Sequence, residues 1–140
     1  MTLVIKKLDK KNFIKNIIKI INMSKIRYWN YDNYIKNLPS KWEKSLGVFD
    51  KINNQIIAYC IVSQKKDSLH IHLLMVSEKY KGIGVGSKIL KNITAKTSKN
   101  ITVKTYTNFR KTINFYLKNK FKIHKVNKKT TLMIKKKIKQ

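Results

Sequence analysis

The chain has one cysteine, Cys60, and one proline, Pro39. A single thiol excludes an internal disulfide and a cysteine-based zinc site, and it points to a reducing compartment. Acidic residues are scarce: six Asp and Glu stand against 33 Lys and Arg. Glycine is scarce as well. There are four in 140 residues, and three of them, Gly82, Gly84 and Gly86, fall within five positions. Long apolar runs are missing. The longest, Ile56–Val62, has seven residues, where a membrane helix needs about 20. The N-terminus carries no apolar signal core, so the reading is a soluble, intracellular, cytoplasmic protein with no membrane partner. No Pro/Gly-rich linker, repeat or low-complexity break divides the chain, and its length suits one domain spanning residues 1–140.

What is present in excess is lysine. The formal net charge is +27, and 31 of the 33 cationic residues are Lys. Such a field favours phosphate-rich partners. However, Ile (21) and Asn (14) are abundant too, and Lys, Ile, Asn, Tyr and Phe are the amino acids of AT-rich codons. Arg, whose fork matches guanine and phosphate, is nearly absent. The lysines therefore read as a solvated surface with weak, non-specific affinity for polyanions. Apolar residues make up 42% of the chain, enough for a packed core.

Hydrophobic periodicity divides the chain into strands and helices. Leu3–Ile5 forms a first strand. Phe13, Ile14, Ile17, Ile18 and Ile21 recur at helical spacing. A second helical piece carries Tyr31, Tyr34, Ile35 and Leu38 and stops before Pro39. Leu46–Phe49, Gln55–Ser63 and Leu69–Val76 read as a three-strand meander. Val85, Ile89, Leu90 and Ile93 mark a helix, Ile101–Tyr106 a strand, and Phe109, Ile113, Tyr116 and Leu117 another helix. Lys122–Val126 and Thr130–Ile134 close the chain as a hairpin. Such mixed order predicts an α+β (mixed α/β) fold with several antiparallel neighbours. Cys60, alternating with Ala58 and Val62, reads as a small core residue.

The glycines sit where the third meander strand passes into a helix. A glycine-rich turn there presents free backbone N–H groups and a positive helix end, which suits a phosphate. The spacing G-x-G-x-G matches neither the P-loop nor the dinucleotide fingerprint. It does match a basic residue followed by spaced glycines, Lys81-Gly82-Ile83-Gly84-Val85-Gly86, directly after a strand ending in Val76. Here the chain resembles the GCN5-related N-acetyltransferase (GNAT) family. The segment from Thr107 to Phe121, with Asn108, Phe115-Tyr116 and Phe121, is similar to the family's second signature. Lys81 stands where the family has Arg or Gln, and Lys120 where it has Gly before Phe.

The resemblance implies a central, mostly antiparallel, twisted sheet flanked by about four helices, with acetyl-CoA as co-substrate. Lys81, Gly82, Ile83, Gly84, Val85, Gly86 and Ser87 would hold the pyrophosphate. Leu74, Met75 and Val76 would pair by backbone with the pantetheine arm. Asn108 joins the cofactor set through the second signature. Tyr116 matches the family's proton donor to the departing thiolate; as residues alone it reads equally as a core aromatic beside Ile113 and Phe109. His70 falls where many members carry a glutamate base, and His70-Ile71-His72 resembles the strand histidines of serotonin N-acetyltransferase. Residues i and i+2 share a strand face, and an ordinary imidazole titrates near 6.5, so the pair is a candidate base. The same residues also suit a half-exposed polar strand face. Glu78 and Glu43 are lesser candidates. No metal site is expected, because His124 and the few carboxylates supply no third ligand.

The reading is an N-acetyltransferase in which a primary amine attacks the thioester directly in a ternary complex, acting as a monomer or homodimer. The acceptor is neutral or anionic, since so cationic a chain repels a polycation. The alternative is a non-enzymatic basic module that binds nucleic acid or the ribosome on the same fold.

Overall fold

The computed structural model describes residues 2–24 and 29–137. Strand β1 (Leu3–Lys7) is followed by helices α1 (Lys10–Lys15), α2 (Ile17–Met23), α3 (Tyr31–Ile35) and α4 (Lys41–Lys44). The meander β2 (Leu46–Asp50), β3 (Ile56–Gln64) and β4 (Ser68–Val76) comes next. Then come α5 (Val85–Ala95), β5 (Asn100–Tyr106), α6 (Arg110–Lys118) and the hairpin β6 (Lys122–Val126) and β7 (Thr130–Lys135). All seven strands form one sheet in the order β1-β2-β3-β4-β5-β7-β6. Every neighbouring pair is antiparallel except β4 and β5. The mixed, mostly antiparallel sheet expected from the sequence is the one observed.

Six α-helices and one 3-10 turn, Glu78–Tyr80, flank it among the described residues, rather than about four helices. The isoleucine-rich stretch breaks at Asn16, whose amide side chain donates to the Asn12 carbonyl at 2.8 Å and competes with the helix ladder. The break changes the helical phase. Phe13 and Ile20 are fully buried, whereas Ile14 and Ile18, placed on the core face by periodicity, are exposed. Helix α4 is a single turn after Pro39 that the sequence pattern does not announce.

The two faces of the sheet carry separate cores. On one face α5 contributes Val85, Ile89, Leu90 and Ile93, and α6 contributes Tyr116, packed over Ala58, Cys60, Val62, Leu69 and Ile71. On the other face Phe13, Ile20 and Tyr34 from α1–α3 cover Tyr59, Ile61 and Leu73. Alternation along β3 feeds both, as a doubly covered central strand requires. Cys60 is fully buried, and burial pushes its thiol well above the ordinary range.

Strand β4 departs from regular alternation at one residue. Ile61 pairs with Leu73 and Val62 with Ile71, so His72 is an extra residue bulged out of the ladder. The bulge reverses the strand's facing: Ile71 belongs to the α5 core, Leu73 two residues on to the α1–α3 core. It also coincides with the end of the parallel pairing. Strand β4 meets β5 only over Ser68–Ile71 against Asn100–Val103. Beyond that point β4 stays with β3 as far as Val76, and β5 stays with β7 as far as Tyr106.

Candidate active site

Where β4 and β5 part, a cleft of about 700 Å³ opens. Its floor is β4 from Ile71 to Val76, and its far wall is Val103–Thr105 of β5. The edge of β4 that faces this gap has left the β5 ladder, so its backbone groups are available to a strand-like ligand.

The start of α5 closes one end. Gly82 and Gly84 have φ of +79° and +88°, a left-handed conformation that side chains disfavour. Gly84 is the N-cap of α5 and makes no side-chain cap, so the first N–H groups of an 11-residue helix face the cleft. Gly86 serves packing. A Cβ there would stand 3.0 Å from the Phe115 ring, so its absence lets α5 lie against α6. Lys81, Gly82, Gly84, Val85, Gly86 and Ser87 all line the cleft, with Leu74, Met75 and Val76 along its floor. Ile83 points its side chain to solvent, and Asn108 lies in an exposed turn outside the lining. The Lys81 ammonium pairs with Glu78 at 2.7 Å, both side chains being more than half exposed.

Tyr116 lines the cleft from α6 and is buried. Its ring meets Phe115 and Phe121 edge-on at 5.2 and 5.1 Å between centroids. It is thus both the core aromatic and the cleft residue that the sequence allowed.

His70 and His72 do come together, with ring centroids 4.9 Å apart. Only His72, the bulged residue, lines the cleft. His70 Nδ1 shares a hydrogen bond with Thr102 Oγ1 at 2.7 Å, and His72 Nε2 shares one with Ser63 Oγ at 2.6 Å. The expectation of ordinary imidazoles needs correction. Burial pushes both down to about 4, reinforced by the charges of Lys65 and Lys104 around His70, and of His70, Lys65 and Lys41 around His72. Both rings are therefore uncharged and weakly basic at neutral pH. Glu78 and Glu43 are exposed, and neither lines the cleft. The lining holds Lys81, Lys104, Lys111 and Lys118 but no Asp or Glu.

Sequence reasoning missed Lys41, Trp29 and Met23. Met23 lines the cleft, and Trp29 stacks at a tilt on His72, centroids 5.4 Å apart. Nothing in the spacing of Met23 and Trp29 marked them, because their contacts with β4 join segments more than forty residues apart; Lys41 reads as one more surface lysine until its cage is seen.

A sheet parted between its fourth and fifth strands, with a glycine-opened helix over the gap, defines the acyl-CoA N-acyltransferase fold. The sequence profile of the acetyltransferase (GNAT) domain matches residues 45–123, and the chain belongs to that family. No curated protein matches it. Among solved structures, the ribosomal-protein-S18-alanine N-acetyltransferase from Escherichia coli superposes with a TM-score of 0.81 at 12% identity, covering 99% of this chain and 96% of that one. PaiA N-acetyltransferase from Thermoplasma acidophilum, in complex with coenzyme A, gives 0.74 at 15% identity, covering 97% and 99%. Arabidopsis thaliana Naa50, in complex with a bisubstrate analogue, gives 0.74 at 20% identity, covering 96% and 97%. None of the described helices is long and apolar enough to cross a membrane.

Proposed function

We propose that this protein is an acetyl-CoA-dependent N-acetyltransferase that transfers the acetyl group directly to a primary amine held beside it in the cleft. The observation that carries the reading is the coincidence of the glycine-opened α5 N-terminus with the unpaired β4 edge, both lining one cleft. The solved relatives with coenzyme A or a coenzyme A conjugate support it. When bound, acetyl-CoA supplies an activated thioester. The N–H groups at the start of α5 hold its pyrophosphate, and the Leu74–Val76 backbone orients its arm. Alignment of amine and thioester provides much of the rate.

Tyr116 is placed to give a proton to the sulfur as it leaves. His72, uncharged, accepts a hydrogen bond from the attacking amine, with His70 steadying it, and the proton the nitrogen sheds as the C–N bond forms passes to solvent. Lysines without a carboxylate line the cleft, which disfavours an ammonium ion and so favours the amine in its free, nucleophilic form. The same field favours a neutral or anionic acceptor over a polycation. The protein acts in the cytoplasm in this reading.

Thermal unfolding with acetyl-CoA tests the proposal. A ligand that binds only the native state raises Tm, and millimolar acetyl-CoA should do so. Ser87→Glu occupies the third position of α5, where an acidic side chain favours the helix but repels a pyrophosphate. That variant should fold as well as the parent and lose the shift. Tyr116→Phe should keep the shift and lower kcat. A well-folded parent with no shift overturns the reading.

A further inference from the structure

The lysine of helix α4 stands apart from the rest. Lys41 has no exposed surface. Its Nζ donates to the carbonyl oxygens of Tyr34 at 2.6 Å and Lys36 at 2.8 Å, at the C-terminal end of α3. It lies 4.4 Å from the ring centroid of Trp42, 5.2 Å from Phe13 and 5.8 Å from Trp29. A desolvated ammonium persists only where such partners replace water. One cation thus ties together α1, the end of α3, α4 and Trp29.

Trp29 carries that arrangement to the cleft. Its ring meets Tyr34 edge-on at 5.3 Å and His72 at 5.4 Å. The Lys41 charge is also among those that hold His72 uncharged. Packing alone does not call for a lysine here, because an apolar side chain of similar length fills such a cage without the cost of desolvating a charge. The charge acts on what surrounds it: the two α3 carbonyls, the rings and His72. Burial, and after it the opposing charge of Lys10 on α1, lower the pKa of Lys41 to about 8. Glu43, on α4 itself, is exposed.

We propose that Lys41 is a positioning residue for the acceptor half of the reaction: its ammonium fixes Trp29 and the end of α3, and through Trp29 sets the ring of His72 against the cleft. This rests on the reading that His72 faces the acceptor, but the test does not require turnover.

Trp29 and Trp42 are the only tryptophans in the chain, so intrinsic emission reports on the cage alone. In Lys41→Met, tryptophan emission should shift, and the His72 ring followed by ¹H–¹⁵N NMR should titrate higher than in the parent, a like charge having been removed. Its Tm shift with acetyl-CoA should match the parent's, since the α5 end of the cleft is untouched. A folded variant with unchanged His72 titration and ring resonances overturns the proposal. If the variant does not fold, the parent decides. Raising pH through 8 neutralises Lys41 while His72 is already neutral, so His72 resonances and tryptophan emission should move together with a shared midpoint near 8. A transition in tryptophan emission that His72 resonances do not follow overturns it. If the parent shows no acetyl-CoA shift while these resonances move, the acetyltransferase reading fails and the Lys41 linkage stands.

Discussion

His70 and His72 give the protein an acid sensitivity that its charge alone would not predict. Each has a native pKa of about 4 against roughly 6.5 in the unfolded chain. Between those values the unfolded chain binds more protons, so stability rises with pH there. The contribution is fully present above about 6.5 and is lost as pH falls through 4. Tm should therefore decline across that window in the parent, and the His70→Gln/His72→Gln double variant should show a flatter decline. The pair should also put no inflection near pH 6.5 into the rate profile; one that vanishes in the double variant would return the general-base role to an ordinary imidazole. The positions of the pair were legible from sequence. Their environment was not, because Ser63, Thr102, Lys104 and Lys41 reach them from other strands and a helix, and Lys65 from the turn before β4.

At the scale of elements, α6 shows how a departure from the family pattern is accommodated. The helix ends in a Schellman motif: Phe121 N–H donates to the Tyr116 carbonyl at 3.1 Å, and Lys120 N–H to Leu117 at 3.2 Å. The residue after the cap must be left-handed, and Lys120 has φ of +72°. That is the position where the family carries glycine. The Phe121 ring against Tyr116 completes the motif, so the same turn holds the proposed acid in place. Lys120→Gly should remove the strain and stabilise the fold by up to about 1 kcal/mol, part of the gain being offset by a freer unfolded chain. Denaturant unfolding reads this directly; a destabilised variant would show the lysine side chain to be worth more than the strain. Strands β2–β7 and helix α5 were readable from periodicity and turn residues. The bulge at His72 was not, since inserting one residue leaves no mark in composition and shows only in the register between β3 and β4. Nor was the break at Asn16, where a side-chain amide outcompetes a helix that isoleucine spacing alone would continue.

For the whole molecule, the charge of +27 is the dominant field. Lysines gather at the end of α5 remote from the glycines, where Lys96, Lys99, Lys135, Lys136 and Lys137 line a second hollow. Single-stranded RNA should bind there and elsewhere without sequence preference, with a Kd of roughly 10⁻⁴–10⁻⁶ M at physiological salt and a steep loss as salt rises. Filter binding across a salt series measures it. Sequence-selective retention above about 0.2 M salt would mean the lysines form a true nucleic-acid site rather than a compositional surface. The charge was plain in the sequence, but its distribution over the surface was not. The parting of β4 from β5 has a further consequence. Strands β1–β4 form one wing of the sheet and β5–β7 the other, with α5 as the crossover and four residue pairs as the seam. The cleft is therefore lined by both wings, Ile71–Val76 from one and Val103–Thr105 from the other, so whatever fills it bridges them.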